Sequence, residues 1–255
     1  MTHPIGRLAH RRGGFPFFLA AGLTAAALAT ALGVGNHADA QELVGGKVKT
    51  KFDGSTLIVQ GSSGNDAITL RLKAGDPNKL VVEVPSNPAS TQEFNRNSFD
   101  AVLVQGGAGD DTLQGGAGAD TLTGNEDADR FQFVNTTDGH VVATNTTVTT
   151  GNYDTVTDFE SGIDTIQITA ANFGFSGGTT FTDDVNFSVI DGAYDGTFDN
   201  SSVAPNSEWA AGRASLIFDS VNSRLIYDAN GAGAGYTILA QVQGGSVQAS
   251  DVTTN

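Results

Sequence analysis

The sequence predicts an all-β chain organised around a parallel β-roll, with flanking antiparallel strands and a closing β-meander. Three observations carry that prediction. Residues 106–132 read in nines: Gly106-Gly-Ala-Gly-Asp-Asp111-Thr-Leu113-Gln, Gly115-Gly-Ala-Gly-Ala-Asp120-Thr-Leu122-Thr, then Gly124-Asn-Glu-Asp-Ala-Asp129-Arg-Phe131-Gln. Each copy has glycine first, an acid sixth and a large apolar residue eighth. Short alternating apolar runs bounded by Gly, Asn and Asp fill most of the remainder, and long runs of good helix formers are absent. Glycine is abundant, with 33 in 255 residues, as a chain of many tight turns requires.

The nonapeptide resembles the hemolysin-type (RTX) calcium-binding repeat, G-G-x-G-x-D-x-U-x. The first two copies fit at every specified position, and the third has Asn125 and Asp127 in place of the second and fourth glycines. The resemblance implies two nonapeptides per coil, so loops eighteen residues apart share an edge. Asp111 and Asp129 then face one calcium ion, held by both carboxylates and by turn carbonyls. Hard carboxylate oxygen is what a cation with roughly 6–8 oxygen ligands takes. The implied ligand set in this block is Gly106, Ala108, Asp111, Gly116, Gly118, Asp120, Asn125, Asp127 and Asp129. Leu113, Leu122 and Phe131 start strands and point into a thin core. A flexible Gly/Asp linker would have no reason to space them by nines.

Along the chain, residues 41–60 read as a lead-in strand pair around the Asp53-Gly54 turn signal. Residues 61–69 form a degenerate repeat with Asp66 sixth and Ile68 eighth. Strand-like runs at 79–84 and 101–104 flank a Pro/Asn/Ser-rich excursion at 85–97, which reads as a hairpin grown out of one half-coil. If the chain re-enters in phase, the Asp66 loop stacks over the Asp120 loop and makes a second calcium site. Residues 135–152 read as a polar loop, and its His140 is assigned no role. The run at 151–168 is similar to the segment that closes the β-roll in the C-terminal domain of serralysin-type metalloproteases. That likeness implies calcium ligation by Asp158 and Asp164. Residues 214–228 and 236–242 read as three strands of the closing meander, with a turn at 231–235 and the pair Asp251-Val252 near the end. Asp228-Ala-Asn230-Gly231 has its glycine too early for an EF-hand loop and reads as a turn. Residues 205–213, around Trp209, read as a short helix.

Residues 1–40 look like an export signal. Arg7, Arg11 and Arg12 precede a largely apolar stretch at 15–34, and Ala38-Asp39-Ala40 offers a cleavage site before Gln41. The mature domain is then 41–255. The formal charge of −15 argues against nucleic acid and anionic membrane partners, with membrane contact only during export. The chain has no cysteine, which excludes disulfides and thiolate chemistry. The resemblance spans roughly residues 55–255 and leaves no room for a protease domain. H-E-x-x-H and G-K-[ST] motifs are missing. The sequence therefore points to a secreted, non-enzymatic, bacterial calcium-binding β-roll protein that folds on binding extracellular calcium, with a structural, surface or matrix role. The alternative is an accessory module of a secreted hydrolase system that binds polysaccharide or a partner enzyme.

Overall fold

A computed structural model describes residues 41–42, 48–87, 91–144, 146–148, 150–196, 214–230 and 235–255. The export segment, Leu43-Val44, the expected helix around Trp209 and most of the 231–235 turn lie outside the described residues. Among the described residues there is no α-helix, and no helix is long and apolar enough to cross a membrane.

The chain alternates between two sheets. In order, β1 (Gln41–Glu42), β2 (Lys49–Asp53) and β3 (Thr56–Gln60) lie in the larger sheet, and β4 (Ala67–Lys73), β5 (Asp76–Glu83) and β6 (Gln92–Asn95) in the smaller. The chain then winds between them: β7 (Ala101–Ala108) large, β8 (Thr112–Gln114) small, β9 (Asp120–Glu126) large, β10 (Arg130–Phe133) small. β11 (His140–Val142) and β12 (Asp154–Val156) return to the larger sheet and β13 (Thr165–Ile168) to the smaller. β14 (Phe187–Ile190), β15 (Ser215–Asp219), β16 (Arg224–Asp228) and β17 (Tyr236–Val242) extend the larger sheet, and β18 (Val252–Thr254) ends in the smaller.

The central rungs are parallel. β3–β7–β9–β12–β17 run side by side in one sheet and β4–β8–β10–β13–β18 in the other. Register places the eighth residues of the repeats in columns. Ile68, Leu113, Phe131, Ile166 and Val252 align down the smaller sheet. Val59, Val104, Leu122, Val156 and Val242 align down the larger one. All ten are buried. Polar neighbours such as Thr112, Gln114 and Thr121 are only half-buried, because side chains on a strand alternate faces. Two facing columns run through the thin core of a parallel β-roll, and a second buried apolar residue flanks them on most rungs, such as Leu57, Leu70, Val102, Phe133 and Ile168. The nine-residue interval of Leu113, Leu122 and Phe131 is the trace of that column pair.

The antiparallel parts also follow the sequence. β2 and β3 form a hairpin at Asp53-Gly54, although its first strand is the polar 49–53 stretch. β4, β5 and β6 form the inserted hairpins, and β15, β16 and β17 make the meander. The 135–152 segment is not wholly a loop, since β11 pairs antiparallel with β17. A second small cluster, including Tyr153, Ile217, Ile226 and Ile238, packs separately from the main core.

The expected Asp66/Asp120 pairing is not what forms. β4 pairs with β8, in the register Ala67↔Thr112, and the Asp66 backbone N–H donates to Asp111 at 2.7 Å. Asp120 lies on the opposite edge, beside Asp154. The cause is the insert. Its strands stay in the smaller sheet, and the chain re-enters through β7 in the larger one, so the whole excursion takes up a single half-coil.

Candidate metal centre

The turns that lead from the larger to the smaller sheet stack along one edge. They comprise residues 61–66, 106–111, 124–129, 158–164 and 243–251. Aspartates bind these turns to one another through a repeating contact. The backbone N–H of Asp66 donates to Asp111 Oδ1, that of Asp111 to Asp129 Oδ1 at 2.9 Å, and that of Asp129 to Asp164 Oδ1 at 2.9 Å. Asp251 ends the series by accepting from Gly162 N and Ser161 Oγ. Each carboxylate thus satisfies an orphan amide one rung away, which fixes its position before any ligand is considered.

Outer residues repeat the pattern at the surface. Asp127 Oδ2 accepts from Gly109 N, and Asp110 Oδ1 accepts from Ala128 N, both across eighteen residues. Asn65 Oδ1 accepts from Asp110 N. Asp158 accepts from Gly124 N through Oδ1 and from Asn125 N through Oδ2. An open acidic cleft of about 620 Å³ is lined in part by Asp110, Asp127, Asp158, Glu160 and Asp164. Asn125 and Asp127 stand where the repeat has glycines, and both have positive φ, 79° and 77°. Asn and Asp are the residues other than glycine that best tolerate this conformation, so the third copy keeps the turn without the glycines.

The structure therefore brings together Asp66, Gly106, Ala108, Asp111, Asn125, Asp127, Asp129, Asp158 and Asp164 on one edge. It separates Gly116, Gly118 and Asp120, which occupy the other. Sequence reading missed Asn65 and Asp110 on the first edge and Asp138 and Asp154 on the second. Asn65 and Asp110 each directly precede a sixth-position aspartate, and that adjacency is the signal that could have found them.

Electrostatics mark the first edge as short of positive charge. Burial pushes the Asp111 carboxyl up to about 6 despite the Asp66 amide, and the charges of Asp66, Asp110 and Asp127 push the same way. Burial takes Asp129 up to about 7 against the Asp111 amide, with Asp111, Asp164 and Asp158 adding repulsion. Asp164 is raised as well, again chiefly by burial. Asp111 is 1% exposed, and its Oδ2 has no hydrogen-bond partner. A buried carboxylate oxygen left unmatched in this way is the donor a hard cation takes up. The glycines leave the needed space: a Cβ on Gly106 would lie 2.2 Å from Asp111 Oδ2, and one on Gly124 2.0 Å from Asp129 Oδ2. Among the described residues no three carboxylate or imidazole groups converge as a metal cluster. A cation on this edge would draw part of its shell from turn carbonyls, and the donor set fits calcium on those terms.

Gly107 gives a direct check on the stacking. Its φ is +124°, and an added Cβ would sit 1.9 Å from Ser62 O. Gly107→Ala is expected to destabilise the protein by more than the roughly 1–2 kcal/mol of a left-handed backbone. Gly54, with φ +60° and nothing within 4 Å of an added Cβ, supplies the control. Urea midpoints should fall further for Gly107→Ala than for Gly54→Ala.

No curated protein matches the chain. The four-copy model of the RTX calcium-binding nonapeptide repeat matches residues 103–131. That span includes the Asp111 and Asp129 turns of the first edge and the Asp120 turn of the second. These repeats are calcium-binding motifs, and Ca2+ is the ion they imply. Residues 103–131 are thus similar to hemolysin-type calcium-binding repeats, and they form rungs of a parallel β-roll.

Proposed function

We propose that the protein is a secreted, non-enzymatic β-roll whose folding is driven by extracellular calcium, with residues 1–40 removed on export. The observation that carries this reading is the partnerless, buried Oδ2 of Asp111 within a stack of carboxylates held above their ordinary range. Asp111 and Asp129, with the carbonyls of the turns at Gly106 and Ala108, would hold one ion. Asp127, Asp158 and Asp164, with the Asn125 turn, would hold another toward the cleft, and Asp66 would close the first rung. Calcium supplies the positive charge these groups lack. The protein's own residues do the rest: the glycines let successive turns approach, and the aspartate-to-amide contacts set the spacing of the rungs. The likeness of residues 151–168 to the segment closing serralysin-type rolls supports the roles given to Asp158 and Asp164.

Without calcium the desolvated carboxylates repel one another and the glycine-rich turns carry a large entropy cost, so the roll opens. Binding in the range of about 10⁻⁴–10⁻³ M would suit an extracellular module. A calcium titration followed by far-UV circular dichroism tests this. A cooperative gain of β signal that EGTA reverses is expected. A spectrum unchanged by either reagent would reduce the repeats to scaffold turns.

A further inference from the structure

The second edge of the roll is built differently. Among the described residues only one nonapeptide turn, residues 115–120, lies on it. One neighbour there is the end of the inserted hairpin, and the other is the segment leading into β12, whose Asp154 Oδ1 accepts from Asp120 N at 3.0 Å. The hairpin brings Arg96 to this turn. Its Nη1 donates to Ala117 O at 3.4 Å. Its Nη2 reaches within 3.7 Å of the point where Gly118 would carry a Cβ, and Asp120 Oδ2 lies 3.6 Å from the same point. Guanidinium and carboxylate thus face the one space that the missing side chain leaves open. The Arg96 charge favours ionised Asp120, opposing its burial.

A calcium ion between two rungs would draw its oxygen donors from both turns. Here the second turn is missing, and a cation of the chain itself engages the Ala117 carbonyl. We propose that Arg96 takes the place of a calcium ion on the second edge, so that Gly116, Gly118 and Asp120 form a metal-independent turn. This rests on calcium binding along the first edge. A guanidinium is charged at every calcium concentration and presents planar donors to carbonyl and carboxylate oxygen. The 115–120 turn therefore needs no ion of its own, and the hairpin that looks like an interruption supplies the counter-ion.

The test compares the full-length protein with Asp129→Asn and Asp120→Asn by calorimetric calcium titration. Asp129→Asn should lose one ion or bind it at least tenfold more weakly, and Asp120→Asn should keep the wild-type count. At saturating calcium, Arg96→Gln should lower Tm by about 2–4 °C. Adding Asp120→Asn to it should restore at least half of that loss, because the stranded carboxylate is gone. Loss of an ion from Asp120→Asn, or a double variant that falls by the sum of the singles, would overturn the proposal. If Arg96→Gln fails to fold, the calcium count of Asp120→Asn decides. Wild-type protein that binds no calcium would instead sink the reading of the first edge, and the Tm cycle run in EGTA would then decide on Arg96 alone.

Discussion

Asp129→Ala is expected to weaken calcium binding by about 10–100-fold, the range seen when groups that orient a metal's ligands are lost. The calcium concentration needed for the β signal should rise by the same factor. Asp129 is the middle member of the acid ladder. Its Oδ1 holds the Asp111 amide, its own amide holds Asp164, and its carbonyl accepts from Thr165 N. Truncation removes a ligand and leaves the Asp111 N–H without its acceptor, which by itself costs about 1–3 kcal/mol. In EGTA the sign is contested. The same truncation removes a carboxylate that burial and the charges of Asp111, Asp164 and Asp158 already disfavour. Asp129→Ala should therefore change the calcium-free protein far less than the calcium-bound one. Equal losses with and without calcium would make Asp129 a packing residue only.

The second large effect is a dependence on pH that reverses with calcium. In the calcium-free fold the Asp111 and Asp129 carboxyls rise from an ordinary value near 3.8 to about 6 and about 7. A folded-state pKa above the unfolded one means that folding takes up protons. The stability from these groups is complete below about pH 4, falls as pH rises, and is lost above about pH 7. Calcium-free protein should accordingly show more β structure at pH 4 than at pH 8. With calcium the order inverts, because the ion must displace the protons. Apparent affinity should weaken as pH drops from 7.5 to 5.5, and binding near pH 6.5 should release protons, so that the observed heat changes linearly with the buffer's ionisation enthalpy. Calorimetry in two buffers of different ionisation enthalpy measures that release. Identical heats in both would contradict the proton count.

Much of this arrangement was legible in the sequence because the repeat is local. The interval of nine gave the strands, and the glycine and acid positions gave the turns. The separation of Asp111 and Asp129 gave the neighbouring rungs that the hydrogen bond between them realises. The closing strands were legible for the same reason, as alternating runs around an Asn/Ser turn. The partner of Asp66 was not. Asp66 and Asp120 are a whole number of coils apart if the chain keeps winding, and only tertiary pairing reveals that β5 and β6 leave the winding altogether. Asp154 and Arg96 escaped notice because neither lies in a repeat. Each reaches the 115–120 turn from a segment distant in sequence, and side chains recruited that way leave no period to read.

That detour has a practical side. Residues 74–95 leave the roll and return without breaking either apolar column, since Ile68 still meets Leu113 and Val59 still meets Val104. The site behaves as a natural insertion port. Foreign sequence grafted between Lys73 and Arg96 would be carried on a stack that holds its own register, provided the graft hands the chain back with Arg96 in place.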